Sequence, residues 1–271
     1  MRPSMRIYAI AVYLFLYIPI GIIALFSLNA GRHATQMTGF SLQWYARALD
    51  NPFVLEALKT SFTVALASAL CATVAGTLAA VALQGVRGRL RTLYDAALYM
   101  AVMVPGIVIG IATLIALVTV FDLLNPVLTG LLGDGAPQLG LGKGSLVAAH
   151  GLFTMALVVV IVRARLQGMD ASLMEAAADL GAPPFRSFLQ ITLPQIAPAV
   201  LAGFLLAFTF SFDDFIIAFF VAGSETTLPI YVFSSIRRGV TPEINAIGTM
   251  VLLASLVLLI TAQVILRRRA R

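Results

Sequence analysis

Residues 7–28 read IYAIAVYLFLYIPIGIIALFSL, twenty-two positions without a charge. At a helical rise of about 1.5 Å per residue, such a run covers the roughly 30 Å hydrocarbon core of a bilayer. Five further predominantly apolar stretches follow at 61–83, 98–121, 146–162, 200–221 and 246–266, the fourth being the shortest. None alternates with the period of two that marks a barrel strand, and only helices or closed barrels satisfy their own backbone in lipid. The sequence therefore predicts an all-α, polytopic membrane protein with six transmembrane helices in a single domain spanning 1–271. Composition agrees: 60% of the 271 residues are hydrophobic and 11% are charged, whereas a soluble domain carries about a quarter charged residues.

The net charge of +6 is a topology signal. With the amino terminus placed inside, twelve of the eighteen basic residues fall in inner segments: Arg2, Arg6, Arg87, Arg89, Arg91, Arg163, Arg165, Arg186, Arg267, Arg268, Arg269 and Arg271. Arg32, Arg47, Lys59, Lys143, Arg237 and Arg238 fall outside. Basic residues are retained on the cytoplasmic side, so both termini are expected there, and no nucleic-acid partner is implied. The first run is too long for a signal-peptide core and no small-x-small cleavage site follows, so it is read as a helix. Trp44 and Tyr45 suit an interfacial amphipathic segment or an exposed aromatic pair. Cys71 excludes a disulfide framework within one chain, and its Ala/Gly/Thr-rich surroundings give it the reading of a small packing residue.

The longest inner loop, 163–198, carries the most local information. Ser172 and Glu175 have the spacing of a capping box, Leu173 to Leu180 are good helix formers, and Gly181 is a natural residue just past a helix end. Pro183 and Pro184 prevent continuation, Pro184 can open a second helix through Ile191, and Pro194 and Pro198 are expected to close it before the fifth span. Leu173, Met174, Leu180, Phe185 and Phe188 give this loop too much apolar area to leave wet.

Glu175, Ala176 and Ala177, then Gly181 four residues on, then Ile191, Leu193 and Pro194, match the EAA loop of the membrane subunits of binding-protein-dependent ABC importers. The chain resembles that family, and the resemblance implies an importer permease fold whose EAA helix docks on a cytoplasmic ATPase. Carried over, Glu175, Ala176, Ala177, Gly181, Ile191, Leu193 and Pro194 belong to the coupling contact. The partners implied are a homologous permease subunit, two ATP-binding subunits and an extracytoplasmic solute-binding protein, in a bacterial inner membrane. No cofactor is expected in this chain, ATP and Mg belonging to the ATPase: around Gly142, Lys143, Gly144 and Ser145 the position of the first P-loop glycine holds Pro137, and no strand precedes it. His33 and His150 are far apart and no metal site is expected; His150, at the outer start of the fourth span, is read as an interfacial residue.

Residues 17–20, 40–45, 211–215, 228–229 and 239–246 extend the likeness to the spermidine/putrescine permeases, which implies a polyamine as solute. Related importers of phosphonates, opines, amino-acid derivatives or ferric iron share much of these stretches and remain alternatives, as does an ATP-independent secondary transporter. A membrane enzyme is disfavoured, since no nucleophile, base and orienting group recur on facing helices. The residues themselves point to a cation through Asp213 and Asp214. A carboxylate at a helix centre costs about 2.5–3.5 kcal/mol on insertion scales, so an adjacent pair needs a wet cavity, partners or a counter-charge. Asp214 lies about 21 Å along the fifth helix from Val200, in the outer half of an outward-running span. At 100° per residue it shares a face with the small residues Gly203, Ala207, Ser211 and Ala218, which predicts that Asp214 points into the bundle and leaves Asp213 about 100° away; the structural alternative is a capped or broken helix end with Asp213 in water. A stripe of Phe204, Phe208, Phe212, Phe215 and Phe219 occupies another face. Asn245 and Thr249 are further candidates for lining a path, 223–245 for a re-entrant segment, and Pro19 and Pro105 for helix kinks.

Overall fold

The computed structural model describes residues 3–32, 36–170 and 172–269; Arg2, His33 and Arg271 lie outside them. Twelve α-helices account for most of the described chain, with one isolated bridge between Asn29 and Phe40 as the extended pairing. Five helices are long and apolar enough to cross a membrane, and a sixth has a shorter described apolar part, Pro242–Val257. Two compact units divide the chain, Met1–Leu58 with Leu228–Arg271, and Lys59–Thr227.

In the first unit, α1 (Pro3–Phe26) packs on α12 (Pro242–Arg269). Pro19 sits inside α1 without ending it. The following turn is built on Asn29, whose amide donates to the Gln36 carbonyl at 2.7 Å and whose Oδ1 accepts the Thr38 N–H at 2.9 Å. Trp44, on α2 (Gln43–Asp50), donates its indole N–H to the Asn29 carbonyl and is buried. The helix is amphipathic, but Trp44 anchors the loop from within and is not an exposed aromatic. Two further elements complete this unit, the start of α3 (Pro52–Ala82) and α11 (Leu228–Arg238). Asn51 ties them to α12, donating to Tyr231 and to Glu243, the latter at 3.0 Å.

In the second unit the expected third span is interrupted. Proline disfavours the α conformation in the residue before it, and Val104 is accordingly extended, so α4 (Gly88–Met103) stops and α5 (Gly106–Leu132) begins after Pro105. The crossing helix is α5, displaced toward the carboxyl side of the predicted 98–121. The core lies where α3, α6 (Lys143–Gln167) and α9 (Leu193–Asp213) meet. Val158 is fully buried there between two glycines: a Cβ on Gly76 would stand 2.9 Å from the Val158 Cβ, and one on Gly203 3.3 Å from its Cγ1. Small residues on α3 and α9 thus allow the close helix contacts on which packing in lipid depends. Cys71 departs from its expected role, being exposed on α3.

The loop after α6 forms α7 (Ser172–Asp179) and α8 (Pro184–Ser187). Pro194 and Pro198 do not close a separate helix. A π turn over Phe188–Thr192, in which the Leu193 N–H reaches the Phe188 carbonyl, carries α8 into α9. The wide turn accommodates Pro194, which has no N–H to place, and α9 continues through Pro198 to Asp213.

Candidate functional site

The apolar run of 200–221 is not one helix. α9 ends at Asp213, Asp214 is extended with ψ 121°, and α10 (Ile216–Val221) restarts two residues later. Asp is a poor helix former because its carboxylate competes for nearby backbone groups. Here it does so visibly: Asp214 Oδ2 accepts the Ala218 N–H at 2.9 Å. A single face running from Gly203 to Ala218 through Asp214 is therefore corrected, since the helical phase is lost at Asp214. Gly203, Ala207 and Ser211 do share the buried face of α9. The break matches the capped helix end weighed as the alternative.

Asp213 and Asp214 line a cavity of about 510 Å³ together with Thr209, Phe210, Phe215 and Ile216. Asp213 is exposed, and among the described residues it has no hydrogen-bond or ion-pair partner. Asp214 is held from behind. Its Oδ2 lies 3.4 Å from His150 Nε2, whose side chain is 2% exposed. His150 Nδ1 is 2.7 Å from Ser211 Oγ, and Ser68 donates to Ser211 at 2.8 Å. His150 is thus a core residue rather than an interfacial one. Sequence reading missed this because Ser68 and Ser211 come from helices remote along the chain. Ser145, one turn earlier on α6, donates to the Val221 carbonyl at the far end of α10. The far end of the short helix is in this way bonded to α6, and its near end lies against α6 at Asp214 and His150.

At the opposite end of α6, Arg163 pairs with Asp95 on α4, and Arg91 joins the same carboxylate at 3.3 Å. Arg91 also donates to the Leu83 carbonyl just past α3. Foremost through the Arg163 hydrogen bond, and against the penalty of burial, Asp95 is held below the ordinary carboxylate range.

The expected coupling residues are spread over three elements and the turn that follows α7. Glu175, Ala176 and Ala177 are on α7, Ile191 is in the π turn, and Leu193 and Pro194 open α9. Gly181 has φ +71°, and the Ala182 and Gly181 N–H groups bond back to the Ala177 and Ala178 carbonyls, a Schellman motif. The expected Ser172–Glu175 capping box is absent. Ser172 is the first helical residue, and its N–H goes to Asp170 Oδ1 at 3.0 Å, which lowers the Asp170 carboxyl below its usual range. Glu175 is left exposed, lining a cavity of about 330 Å³ with Gln84, Leu166, Met169, Asp170, Met174 and Thr192. Leu173, Met174, Leu180 and Phe185 are exposed, the last two at 87% and 73%. Asn245 is buried in the first turn of α12 and belongs to the other unit.

Residues 72–271 match the family described as the binding-protein-dependent transport system inner membrane component, and the chain belongs to it. It is a permease subunit of an ABC importer. Its relatives include the spermidine/putrescine transport system permease protein PotC of Escherichia coli (strain K12), 39% identical over 96% of this chain and 93% of that protein. The putrescine transport system permease protein PotI of the same strain is 39% identical over 89% of this chain and 82% of its own length. The fold is similar to that of a bacterial ABC transporter involved in import of the acidic polysaccharide alginate, with TM-score 0.76, 16% identity and coverage of 98% and 94% of the two chains. A second crystal structure of an alginate ABC transporter, in complex with its alginate pentasaccharide-bound periplasmic protein, is similar with TM-score 0.74 and 16% identity, covering 98% of this chain and 93% of that one.

Proposed function

We propose that this chain conducts a polyamine, putrescine or spermidine, as one permease subunit of an ATP-driven importer in the bacterial cytoplasmic membrane. The observation that carries the reading is the pair Asp213 and Asp214 at a helix break, lining a cavity in a chain 39% identical to a spermidine/putrescine permease over nearly its full length. A linear polycation supplies the counter-charge that two carboxylates in an apolar segment require. The fold does not select the solute, because a similar fold imports acidic alginate; the carboxylates at the break would repel such a cargo. Asp213, Asp214 and Asn245 are assigned to the substrate path.

The chain pairs with a homologous permease subunit, two ATP-binding subunits and an extracytoplasmic solute-binding protein, with both termini cytoplasmic and ATP and Mg held by the ATPase. Loaded binding protein docks outside, ATP binding closes the ATPases, and movement at the coupling loop opens the path. Glu175, Ala176, Ala177, Gly181, Ile191, Leu193 and Pro194 transmit that movement. The exposed apolar side chains of α7 and α8 beside Glu175 are what a helix seated in a groove presents. Co-purification tests this directly: an ATPase subunit accompanies the wild-type chain and is lost with Glu175→Lys. Retention of both ATPase and uptake by that variant would overturn the assignment.

A further inference from the structure

We propose that His150 is a positioning residue for the acidic break: as the Nε2–H tautomer it accepts from Ser211 on Nδ1 and holds the Asp214 carboxylate between α9 and α10. The inference rests on the reading of this break as the place that meets a cationic solute, and assigns a role to groups behind it that do not touch the cavity.

Hydrogen accounting favours this tautomer. Ser68 Oγ has two acceptors in reach, Ser211 Oγ at 2.8 Å and the Ala65 backbone carbonyl oxygen at 3.2 Å, and the shorter contact takes its proton. Ser211, having accepted from Ser68, spends its own proton on the group 2.7 Å away, His150 Nδ1. A neutral imidazole that accepts on Nδ1 carries its proton on Nε2. The opposite tautomer would set a bare nitrogen lone pair, on an imidazole that is 2% exposed, against a carboxylate oxygen 3.4 Å away.

The geometry also says what the residue acts on. His150 Nε2 is buried with no aligned hydrogen-bond partner, and Asp214 Oδ2 is in ion-pair reach. That same oxygen accepts the Ala218 N–H. The carboxylate therefore sits between the first turn of α10 and the imidazole. Unlike its neighbour, Asp213 has no such support and faces the cavity. The ionisable groups on the elements packed around His150 are Asp213 on α9, Asp122 on α5, Glu56, Lys59 and Cys71 on α3, and, on α6 itself, Arg163, Arg165 and Lys143, the last paired at 3.5 Å with Glu225; α10 carries none. Among the described residues, Asp214 alone is in ion-pair reach of the imidazole.

The chain has two histidines, so nitrogen NMR of histidine-labelled protein resolves the question in the full chain in lipid nanodiscs. In a His33→Gln background at pH 8, the expected spectrum is a single Nε2–H imidazole. Its Nδ1 signal should move in Ser211→Ala and its Nε2 signal in Asp214→Asn. An Nδ1–H tautomer, or an Nε2 signal unmoved by Asp214→Asn, overturns the proposal. A transport arm reads the same contact. Gln at position 150 restores a donor where Nε2 stands, Asn restores only a partner for Ser211, and Leu restores neither. Uptake within about threefold of wild type is expected for His150→Gln, and a loss of about tenfold or more for His150→Asn and His150→Leu. Equal uptake by the Asn and Gln variants contradicts the role. Should these variants fail to assemble, the tautomer in the otherwise unaltered chain decides. The imidazole signature is read without solute, so a wrong assignment of polyamine leaves it intact, and a wrong tautomer leaves the polyamine reading intact.

Discussion

Two neighbouring carboxylates with different surroundings set the chemistry of the fifth apolar segment. Asp213 is exposed to the cavity, while Asp214 caps α10 and backs onto His150. Asp214→Asn keeps a side-chain oxygen for the Ala218 N–H but removes the charge, so uptake is expected to fall by about tenfold or more while ATPase association is unchanged. Normal uptake by that variant would sink the role given to the pair. The acids were visible in the sequence because charge is scarce in this chain. Their surroundings were not, since a uniform 100° step was carried across residues that leave the helix. Packing at Val158 offers a second test at this scale. Gly76→Val places branched carbons into space that a Cβ already overfills, and overpacking of this kind costs about 1–3 kcal/mol. The purified chain should then melt several degrees lower, with Gly76→Ala intermediate.

Helix ends rather than helix interiors account for most departures from expectation. The Schellman end of α7 was legible, because Gly181 supplies a positive φ and prolines follow. Its start was not, because Asp170 competes successfully with Ser172 for the capping role. Pro105 follows the end of α4, whereas Pro194 enters the start of α9 behind the π turn and Pro198 lies within that helix. A prediction belongs to the ends of α4 and α6. The pairing of Asp95 with Arg163 and Arg91 holds its carboxyl below the ordinary value of 3.8, so the contribution is complete above that pH and is lost as pH falls through the lowered value. Asp95→Asn should lower the melting temperature by a few degrees at neutral pH, and Arg163→Gln should add little in that background, as expected for partners in one network. Additive losses would show that the pair is not a unit.

For the molecule as a whole, hydropathy was enough for fold class, and the spacing around Glu175 was enough for family. What linear reading could not supply are contacts between distant segments. The Ser68–Ser211–His150 chain and the clamp of α10 onto α6 exist only once α3, α6 and α9 are packed. Transport of a polyamine through this assembly is the central claim, and uptake of labelled putrescine and spermidine tests it most directly, in cells carrying or lacking this subunit and with unlabelled phosphonate and amino-acid competitors. Uptake that requires the subunit and is suppressed by unlabelled polyamines but by neither competitor is the result expected. Polyamine uptake that is the same with and without the subunit would contradict the account.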